Sequence, residues 1–326
     1  MIGAAPAKTL CSSNARVTAR ERVCREHVAL DLALPTFPPS HPGQFVQLLC
    51  RPLDEPAATL RDWPTDGFPS LSDATLRGPQ AFLRRPFSLA DRDTGDDGRT
   101  RLRIISRTIG PGTRWLEHLH PGDTLNLTGP LGSGFRIPAA PVPLVLIGGG
   151  VGIPPLLYLT RRLRELRFSD VTVIFGATTR DLLPLRLTVE PARDGTPRPC
   201  VQLPANAAFP TIITTDDGSA GLRGLVSDGL QAWHQQTGRA SQDAIVLACG
   251  PERMLAAVAR LTRTLGLGCQ LCIERNMGCG VGTCLSCVVR VRDDARPEHW
   301  RWALACTDGP VFDRDELLDY AGDAGT

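Results

Sequence analysis

Hydrophobic and polar residues alternate in the first part of the chain, most clearly at residues 28–34, 43–49 and 101–107. Alternation with period two is typical of strands that bury one face. Short strands at this spacing predict a small β-barrel, which we place at residues 14–138. Residues 51–80 are rich in Pro, Asp, Gly and Ser without any period, and we interpret them as a surface insertion. We expect it to be a connection; a lid over a cofactor or a contact with a partner is the alternative.

The pattern changes after the predicted barrel. Continuous apolar runs now alternate with segments of helical spacing, of which Leu156, Leu159 and Leu163 are the clearest example. An apolar strand, a glycine turn, a helix and a second apolar strand form a βαβ unit. We therefore predict an α/β domain at residues 141–267, built as an open parallel sheet with helices on both faces. A small third domain, rich in cysteine, is expected at residues 268–326.

Composition and charge narrow the function classes. Of the 326 residues, 42% are hydrophobic and 21% are charged, as in ordinary globular proteins. The formal net charge of +2 and the aromatic content of 5% give no reason to expect nucleic acid or an anionic membrane as a partner. No stretch has the apolar length that a membrane span needs, and residues 1–24 lack the apolar core of a secretory signal. We therefore expect a cytoplasmic protein.

Four cysteines near the end of the chain have the spacing of a plant-type [2Fe-2S] cluster. They read C-x4-C-x2-C with a fourth after a longer gap, and they are Cys279, Cys284, Cys287 and Cys306. Interspersed glycines allow the loop to coil tightly and bring backbone N–H groups close to the sulfurs; these are Gly278, Gly280 and Gly282. A structural zinc site is the alternative. Zinc ligands are usually paired in both halves of a site, whereas here the second half offers one cysteine, which favours the iron-sulfur cluster.

The remaining seven of the 11 cysteines are scattered along the chain, and in a reducing compartment we expect thiols rather than disulfides. Cys269 and Cys272 do form a C-x-x-C. In a strand, however, residues three apart point to opposite faces. We therefore predict that these two are small buried hydrophobic residues.

A short segment before the alternating run at 101–107 has the chemistry of a flavin site. A flavin needs a cation for its pyrophosphate, an apolar surface for its ring and a small donor near the ring. Arg85, Phe87 and Ser88 supply these in one segment, although by itself a surface strand with a stray arginine pair is the better interpretation. A second pyrophosphate candidate is the glycine turn at residues 110–113, which leads into a helix whose free N–H groups would face an anion.

A glycine-rich turn follows the first apolar run of the predicted α/β domain. Gly149, Gly150 and Gly152 stand between a buried strand and a helix, which is the setting of a phosphate-binding turn, although the pattern is not a strict G-x-G-x-x-G. Pro154 and Pro155 fit the first turn of the helix, where a missing N–H has no cost. We predict that this turn binds a nucleotide.

A second nucleotide candidate is the turn Cys249-Gly250-Pro251. It ends an apolar strand at the carboxyl edge of the predicted sheet, the edge at which open α/β sheets bind ligands. We expect a nicotinamide there, and a plain strand-to-helix turn is an equally good interpretation. Arg180 could bind the 2'-phosphate of NADP, and Asp181 could bind the free ribose hydroxyl of NAD. These residues therefore leave the choice between NAD and NADP open.

Taken in order, the segments RPFS, GPGT, GGGVGIPP and ACGP and the cysteine loop resemble the ferredoxin-NADP reductase-like superfamily with a C-terminal [2Fe-2S] domain. Residues 214–219, 272–289 and 305–312 narrow the resemblance to the electron-transfer subunit of the NAD-dependent, two-subunit dihydroorotate dehydrogenase. The resemblance extends over about residues 15–320 apart from the insertion. The cysteine loop with its DGPVF tail is its most specific part.

This resemblance implies FAD, a [2Fe-2S] cluster and NAD as cofactors. It implies that FAD is bound by Arg85, Pro86, Phe87, Ser88, Ile105, Ser106, Arg107, Gly112 and Thr113. The implied partner is an FMN-containing catalytic subunit that oxidises dihydroorotate to orotate in pyrimidine biosynthesis, with two copies of each subunit in a heterotetramer. No residue of this chain is a candidate base for taking a proton from dihydroorotate, which agrees with that chemistry lying on the partner.

Three alternatives share part of this pattern. The reductase component of an oxygenase uses the same cofactors but differs in its partner and in the direction of electron flow. A subunit of a sulfide dehydrogenase or of an NAD-ferredoxin transhydrogenase is the second alternative. A non-catalytic, zinc-stabilised regulatory module is the third, and it would be colourless.

Overall fold

A computed structural model describes residues 10–53, 83–238 and 244–320 of the chain. Apart from residues 51–53, the predicted insertion at 51–80 lies outside the described residues. Within the described ranges, every helix is too short or too polar to cross a membrane.

Seven strands form the first sheet. They are β1 (Cys11–Cys24), β2 (His27–Leu34), β3 (Phe45–Leu49), β4 (Arg85–Ser88), β5 (Asp91–Thr94), β6 (Thr100–Arg107) and β7 (Thr124–Leu131). All pairs are antiparallel, in the order β4-β3-β7-β1-β2-β6-β5. Alternate residues of these strands, such as Leu30, Leu48 and Leu127, share one core, so the sheet curls around it. The predicted β-barrel is confirmed, and its three alternating segments are β2, β3 and β6. A short helix, α1 (Pro111–Glu117), joins β6 to β7.

The second sheet is parallel, as predicted. Its elements in chain order are β8 (Leu144–Gly149), α2 (Ile153–Glu165), β9 (Val171–Ala177), β10 (Thr211–Thr215), β11 (Leu222–Arg223), α3 (Val226–Thr237), β12 (Ile245–Cys249), α4 (Glu252–Thr264) and β13 (Gly268–Cys272). The strands lie in the order β11-β10-β9-β8-β12-β13. Helix α2 covers one face through Leu156 and Leu159. Helices α3 and α4 cover the other face through Trp233 and Leu255.

The cysteine-rich segment is inserted between two strands of this second sheet. After β13 the chain leaves the sheet, forms the antiparallel pair β14 (Val288–Arg292) and β15 (Trp300–Leu304), and returns as β16 (Val311–Asp313). Strand β16 pairs antiparallel with β13 at the sheet edge. We call residues 273–310 the cysteine module. The sequence predicts a separate third domain that begins at residue 268. In the structure, main-chain hydrogen bonds instead join β13 and β16 to the edge of the second sheet.

The cysteine module also shares its core with the parallel sheet. Cys287, Val289 and Cys306 are buried in the same cluster as Leu255 of α4. Phe45 of the barrel packs into this cluster as well. The module is therefore held by its neighbours rather than by a separate core.

Polar contacts fix the barrel against the parallel sheet. Arg161 of α2 pairs with Asp91 of β5, with Nη2 2.8 Å from Oδ2. The amide of Gln270 in β13 accepts from the Arg136 N–H at 2.9 Å and donates to the Arg136 carbonyl at 2.8 Å. Because these groups are largely shielded from water, they set the relative position of the two sheets.

Candidate functional site

A cavity of about 750 Å³ lies where the barrel, the parallel sheet and the cysteine module meet. This volume is in the range of sites for small molecules and cofactors. The barrel lines it with β4, with the end of β6 and with the turn that begins α1. All the residues that the resemblance implied for FAD line this cavity: Arg85, Pro86, Phe87, Ser88, Ile105, Ser106, Arg107, Gly112 and Thr113.

The parallel sheet contributes its carboxyl edge. Of the residues predicted for the nucleotide, Gly152, Cys249 and Gly250 line the cavity. Gly149, Gly150 and Pro251 are adjacent in sequence but are not among the lining residues. The structure therefore brings the two predicted turns to one edge and places part of each beside the flavin candidates.

Gly152 lies where the start of α2 meets the end of β12. A Cβ built on this residue would stand 2.2 Å from the Cys249 carbonyl oxygen and 2.4 Å from the Gly250 nitrogen. Backbone atoms of a central strand cannot move by the ångström needed to accept a methyl group. The close approach of the helix to the strand therefore requires glycine at this position.

Strand β4 is the edge strand of the barrel, which explains why Pro86 is tolerated there. Phe87 packs against the barrel core and also lines the cavity. Arg85 is exposed, and its Nη1 donates to the carbonyl oxygens of Leu83 at 3.3 Å and Arg84 at 3.4 Å. An exposed cation at the rim is suited to a phosphate group.

The end of β6 presents one free and one engaged polar group. The hydroxyl of Ser106 is buried and has no hydrogen-bond partner among the described residues. Arg107 is paired with Glu26, with Nε 2.8 Å from Oε2, and this hydrogen bond holds the pKa of the Glu26 carboxyl below its usual value. The orphaned Ser106 hydroxyl is the group that a bound polar ligand would satisfy.

Thr113 has its hydroxyl engaged within the turn before α1. It accepts from the backbone N–H groups of Ile109 and Gly110 at 3.0 Å each, and it donates to the Gly110 carbonyl at 3.1 Å. The side chain therefore shapes the glycine turn that forms this wall of the cavity.

Cys249 and Cys272 lie side by side at the ends of β12 and β13, and both line the cavity. The hydrogen bond between the two thiols, together with burial, raises the pKa of Cys249 well above its usual value. Cys269 and Cys272 occupy opposite faces of β13, as predicted, since each belongs to a different core cluster. The alternating pattern predicts that Cys272 is buried, but it does not predict the position of this thiol at the cavity.

The start of the cysteine module also lines the cavity, through residues that were not predicted as site residues. They are Ile273, Glu274, Arg275, Asn276, Met277, Gly278 and Ser286. They lie within the run 272–289 that carries the family resemblance, but that resemblance gives them no role at the cavity. Arg275 anchors this stretch, since Nη1 is 3.1 Å from Glu252 Oε2 of α4 and the guanidinium lies 5.8 Å from the Tyr320 ring centre. The cysteine loop therefore begins directly at the wall of the cavity.

Backbone donors surround the first two cysteine sulfurs. The N–H groups of Val281 and Cys284 each donate to Cys279 Sγ at 3.4 Å. The N–H of Cys279 donates to Cys284 Sγ at 3.4 Å, and the Ser286 hydroxyl is 3.2 Å from the same sulfur. Donors directed at sulfur are typical of loops that hold negatively charged thiolates.

Hydrogen bonding and burial act on these thiols in opposite directions. Hydrogen bonds from the Ser286 side chain and from backbone N–H groups lower the pKa of Cys284 to about 6. Burial, followed by the contact with Cys287, raises the pKa of Cys306 to about 12. A coordinated metal would deprotonate both thiols regardless of these differences.

The four cysteines stand as two pairs, Cys279 with Cys284 and Cys287 with Cys306. Among the residues that the structure describes, no three Cys, His, Asp or Glu side chains are placed to share one metal ion. A [2Fe-2S] cluster takes two protein ligands on each of its two irons. The paired arrangement and the N–H donors therefore fit such a cluster.

Two family models match the chain. The oxidoreductase NAD-binding domain matches residues 146–260. The iron-sulfur cluster binding domain of dihydroorotate dehydrogenase B matches residues 274–318, which include all four cysteines.

Curated relatives extend the match over most of the chain. The electron transfer subunit of dihydroorotate dehydrogenase B (NAD(+)) from Geobacillus kaustophilus is 36% identical over 240 residues, covering 73% of this chain and 80% of the relative. The same subunit from Caldanaerobacter subterraneus subsp. tengcongensis is 28% identical and covers 93% of this chain and 97% of the relative.

Solved structures agree on the fold. An NADH-dependent reduced ferredoxin-NADP oxidoreductase has a TM-score of 0.66 at 22% identity, covering 97% of this chain and 91% of that chain. The ferredoxin reductase of a carbazole 1,9a-dioxygenase has a TM-score of 0.57 at 17% identity, and the match covers 80% of this chain and 68% of that chain.

The matched domains define an oxidoreductase with an NAD-binding domain and an iron-sulfur module, built on a ferredoxin-NADP reductase-like fold. Within this class, the chain belongs to the family of electron transfer subunits of dihydroorotate dehydrogenase B (NAD(+)). The resemblance predicted from the sequence is confirmed.

We predict that Gly152→Ala destabilises the protein by about 1–3 kcal/mol, since the added methyl group overpacks the contact between α2 and β12. NADH binding should weaken as the helix moves. Urea unfolding and an NADH titration measure the two effects. Gly268→Ala is the matched control, because a Cβ there would have its nearest neighbour at 3.5 Å. Stability and NADH affinity of Gly152→Ala equal to those of the control would contradict the packing argument.

Proposed function

We propose that this chain is the electron-transfer subunit through which a partner that oxidises dihydroorotate to orotate is connected to NAD. The observation that supports this best is the single cavity lined by the flavin candidates, the carboxyl edge of the parallel sheet and the start of the cysteine module. When bound, FAD exchanges a hydride with NAD and single electrons with an iron-sulfur cluster. The protein's own contribution is to hold these groups next to one another.

We assign the flavin to the barrel wall of the cavity. Arg85 supplies a cation for the pyrophosphate, and Phe87 supplies an apolar surface for the ring. Ser88 and the orphaned Ser106 hydroxyl are the donors that the ligand would engage. The polar groups are few and the surrounding wall is apolar, which is the usual composition of a cofactor site.

NAD is assigned to the carboxyl edge of the parallel sheet. Gly152 allows α2 to begin close to β12 at the cavity edge, and because Pro154 and Pro155 have no N–H, the glycine turn before the helix is assigned to the phosphate groups. Gly149 and Gly150 complete the turn, and Cys249, Gly250 and Pro251 are assigned to the nicotinamide end. Arg180 Nη2 lies 2.7 Å from Glu190 Oε1. This pairing offsets the positive charge that would favour the 2'-phosphate of NADP, and it therefore supports NAD.

The cluster is assigned to Cys279, Cys284, Cys287 and Cys306. Cys287 and Cys306 are almost fully buried, whereas Cys284 is exposed. One side of the site is therefore buried and the other faces solvent, and the neighbouring residues Gly278 and Ser286 line the cavity. A one-electron centre in this position can serve both the bound flavin and an external partner.

The surface around Cys284 supports docking of a partner there. Val281 is 44% exposed and Leu285 61%, and both lie within three residues of Cys284 in the cysteine loop. Neighbouring exposed apolar side chains are typical of protein interfaces. We propose that an FMN-containing catalytic subunit binds this surface, in a complex with two copies of each subunit. None of the 11 cysteines, all of which lie in the described ranges, forms a disulfide, which supports a cytoplasmic location.

The first prediction from this proposal concerns cofactor content. Purified without oxygen, the chain should be yellow-brown and contain about one FAD, two irons and two acid-labile sulfides. Metal analysis, sulfide determination and the visible spectrum measure this. Zinc in place of iron would overturn the cluster assignment and with it the proposed function.

A second prediction concerns Arg85→Ala. Loss of a charge-assisted contact to the pyrophosphate should cost about 1.5–3 kcal/mol, or roughly a 10- to 150-fold rise in the Kd for FAD. The cluster spectrum should be retained, because the thiolates lie in the cysteine module. Flavin titration of the apoprotein gives the Kd, and Arg164→Ala on the exposed side of α2 is the control. Equal FAD affinity in the two variants would show that Arg85 does not bind the flavin.

A third prediction tests the order of the cofactors with Cys284→Ser. The variant should lose or impair the cluster but keep NADH reduction of bound FAD, which needs only the barrel and the parallel sheet. Electron transfer to or from the partner subunit should fall to background, while a small dye that accepts electrons from FAD is still reduced.

Because loss of a cluster can unfold the segment that binds it, flavin content and a melting curve are recorded alongside. Cys11→Ser, outside the cysteine module, is the control substitution. Normal partner reduction by a folded variant without a cluster would contradict the proposed path.

A further inference from the structure

Gln47 is a buried amide on the outer face of the barrel. Its side chain is 0% exposed, although it lies in the middle of β3. Its neighbours Val46 and Leu48 point into the barrel core. Alternation along the strand places Gln47 on the same face as Phe45, which packs with the cysteine module. The amide therefore faces the cysteine module rather than the barrel interior.

The residue that Gln47 meets there is Gly280, which follows the first cluster cysteine. A Cβ built on Gly280 would stand 2.7 Å from Gln47 Nε2 and 2.8 Å from its Cγ. Gly280 also has φ of +73°, a conformation that favours glycine. The loop is thus shaped to lie directly on the amide of Gln47.

Neither polar atom of this amide has a hydrogen-bond partner among the described residues. In two other glutamine side chains, both the amide N–H and the amide oxygen form hydrogen bonds. Gln44 donates to the Gly132 carbonyl at 2.8 Å and accepts from the His41 N–H at 2.7 Å. Gln270 makes both its bonds to Arg136. A fully buried amide without partners is costly, so its presence against the cluster loop points to an acceptor that the protein acquires on loading.

The sulfurs of an iron-sulfur cluster are such acceptors. The same loop already directs the N–H groups of Val281 and Cys284 at Cys279 Sγ. Reduction of the cluster adds negative charge to its sulfurs. A donor held against them therefore stabilises the reduced form more than the oxidised form.

We propose that the Gln47 side-chain N–H donates a hydrogen bond to a sulfur of the cluster held by Cys279, Cys284, Cys287 and Cys306, and that it raises the reduction potential of that cluster. This inference rests on the cluster assigned under the proposed function. It gives the flavin-binding barrel a direct influence on the one-electron centre of a different part of the chain.

The test is Gln47→Met in the full chain loaded with FAD and cluster, since Met has a similar volume but no donor. A redox titration followed by electron paramagnetic resonance measures the midpoint potential of the cluster. We expect this potential to fall by about 59 mV, which for one electron corresponds to roughly a tenfold change in the reduction equilibrium. Gln270→Met is the matched control, because it removes a buried amide that contacts Arg136 and not the loop. An unchanged potential in Gln47→Met, or an equal shift in Gln270→Met, would overturn the inference.

A second measurement uses the wild-type chain and does not depend on the variant folding. Protein made with ¹⁵N only in glutamine side-chain amides should show a nitrogen coupling to the reduced cluster in pulsed electron paramagnetic resonance. Absence of that coupling would overturn the role of Gln47 even if Gln47→Met fails to load a cluster. A wild-type chain without iron would instead overturn the proposed function, so the two failures are distinguishable.

Discussion

The pairing of β13 with β16 is the interaction on which the rest of this structure depends. Gln270, Leu271 and Cys272 pair with Asp313, Phe312 and Val311, so the cysteine module leaves and re-enters the same edge of the parallel sheet. Both ends of the loop are thereby fixed by main-chain hydrogen bonds. The module starts one residue after the cavity-lining Cys272, which places the cluster cysteines beside the cavity and not at the end of a flexible tether.

Shared burial reinforces this arrangement. The core that contains Leu255 and Val258 of α4 also contains Cys287 and Cys306 of the module and Phe45 of the barrel. Small modules bury too little apolar surface to be stable alone. By sharing a core, the three parts become one packed unit, and the distance between the flavin candidates and the cluster cysteines is set by packing. Contacts such as Asp91 with Arg161 add orientation to that packing.

Against this well-packed background, a few buried polar groups remain unpaired, and two of them lie where the cofactors are assigned. Ser106 faces the cavity and Gln47 faces the cysteine loop, and each lacks a partner. An unpaired buried group costs about 1–3 kcal/mol. A ligand bound at either place would offset that cost, whereas the amides of Gln44 and Gln270 are satisfied internally.

The sequence by itself determined the features that depend on near neighbours in the chain. Period-two alternation predicted β2, β3 and β6, apolar runs with glycine turns predicted the parallel sheet, and the spacing of Cys279, Cys284 and Cys287 predicted the cluster loop. Only the tertiary structure assigned β13 and β16 to the parallel sheet, placed Cys272 and Arg275 at the cavity, and brought Gln47 against Gly280. These depend on pairing and packing between residues far apart in the chain. A local pattern records which face of a segment is buried, but it does not record which distant segment covers that face.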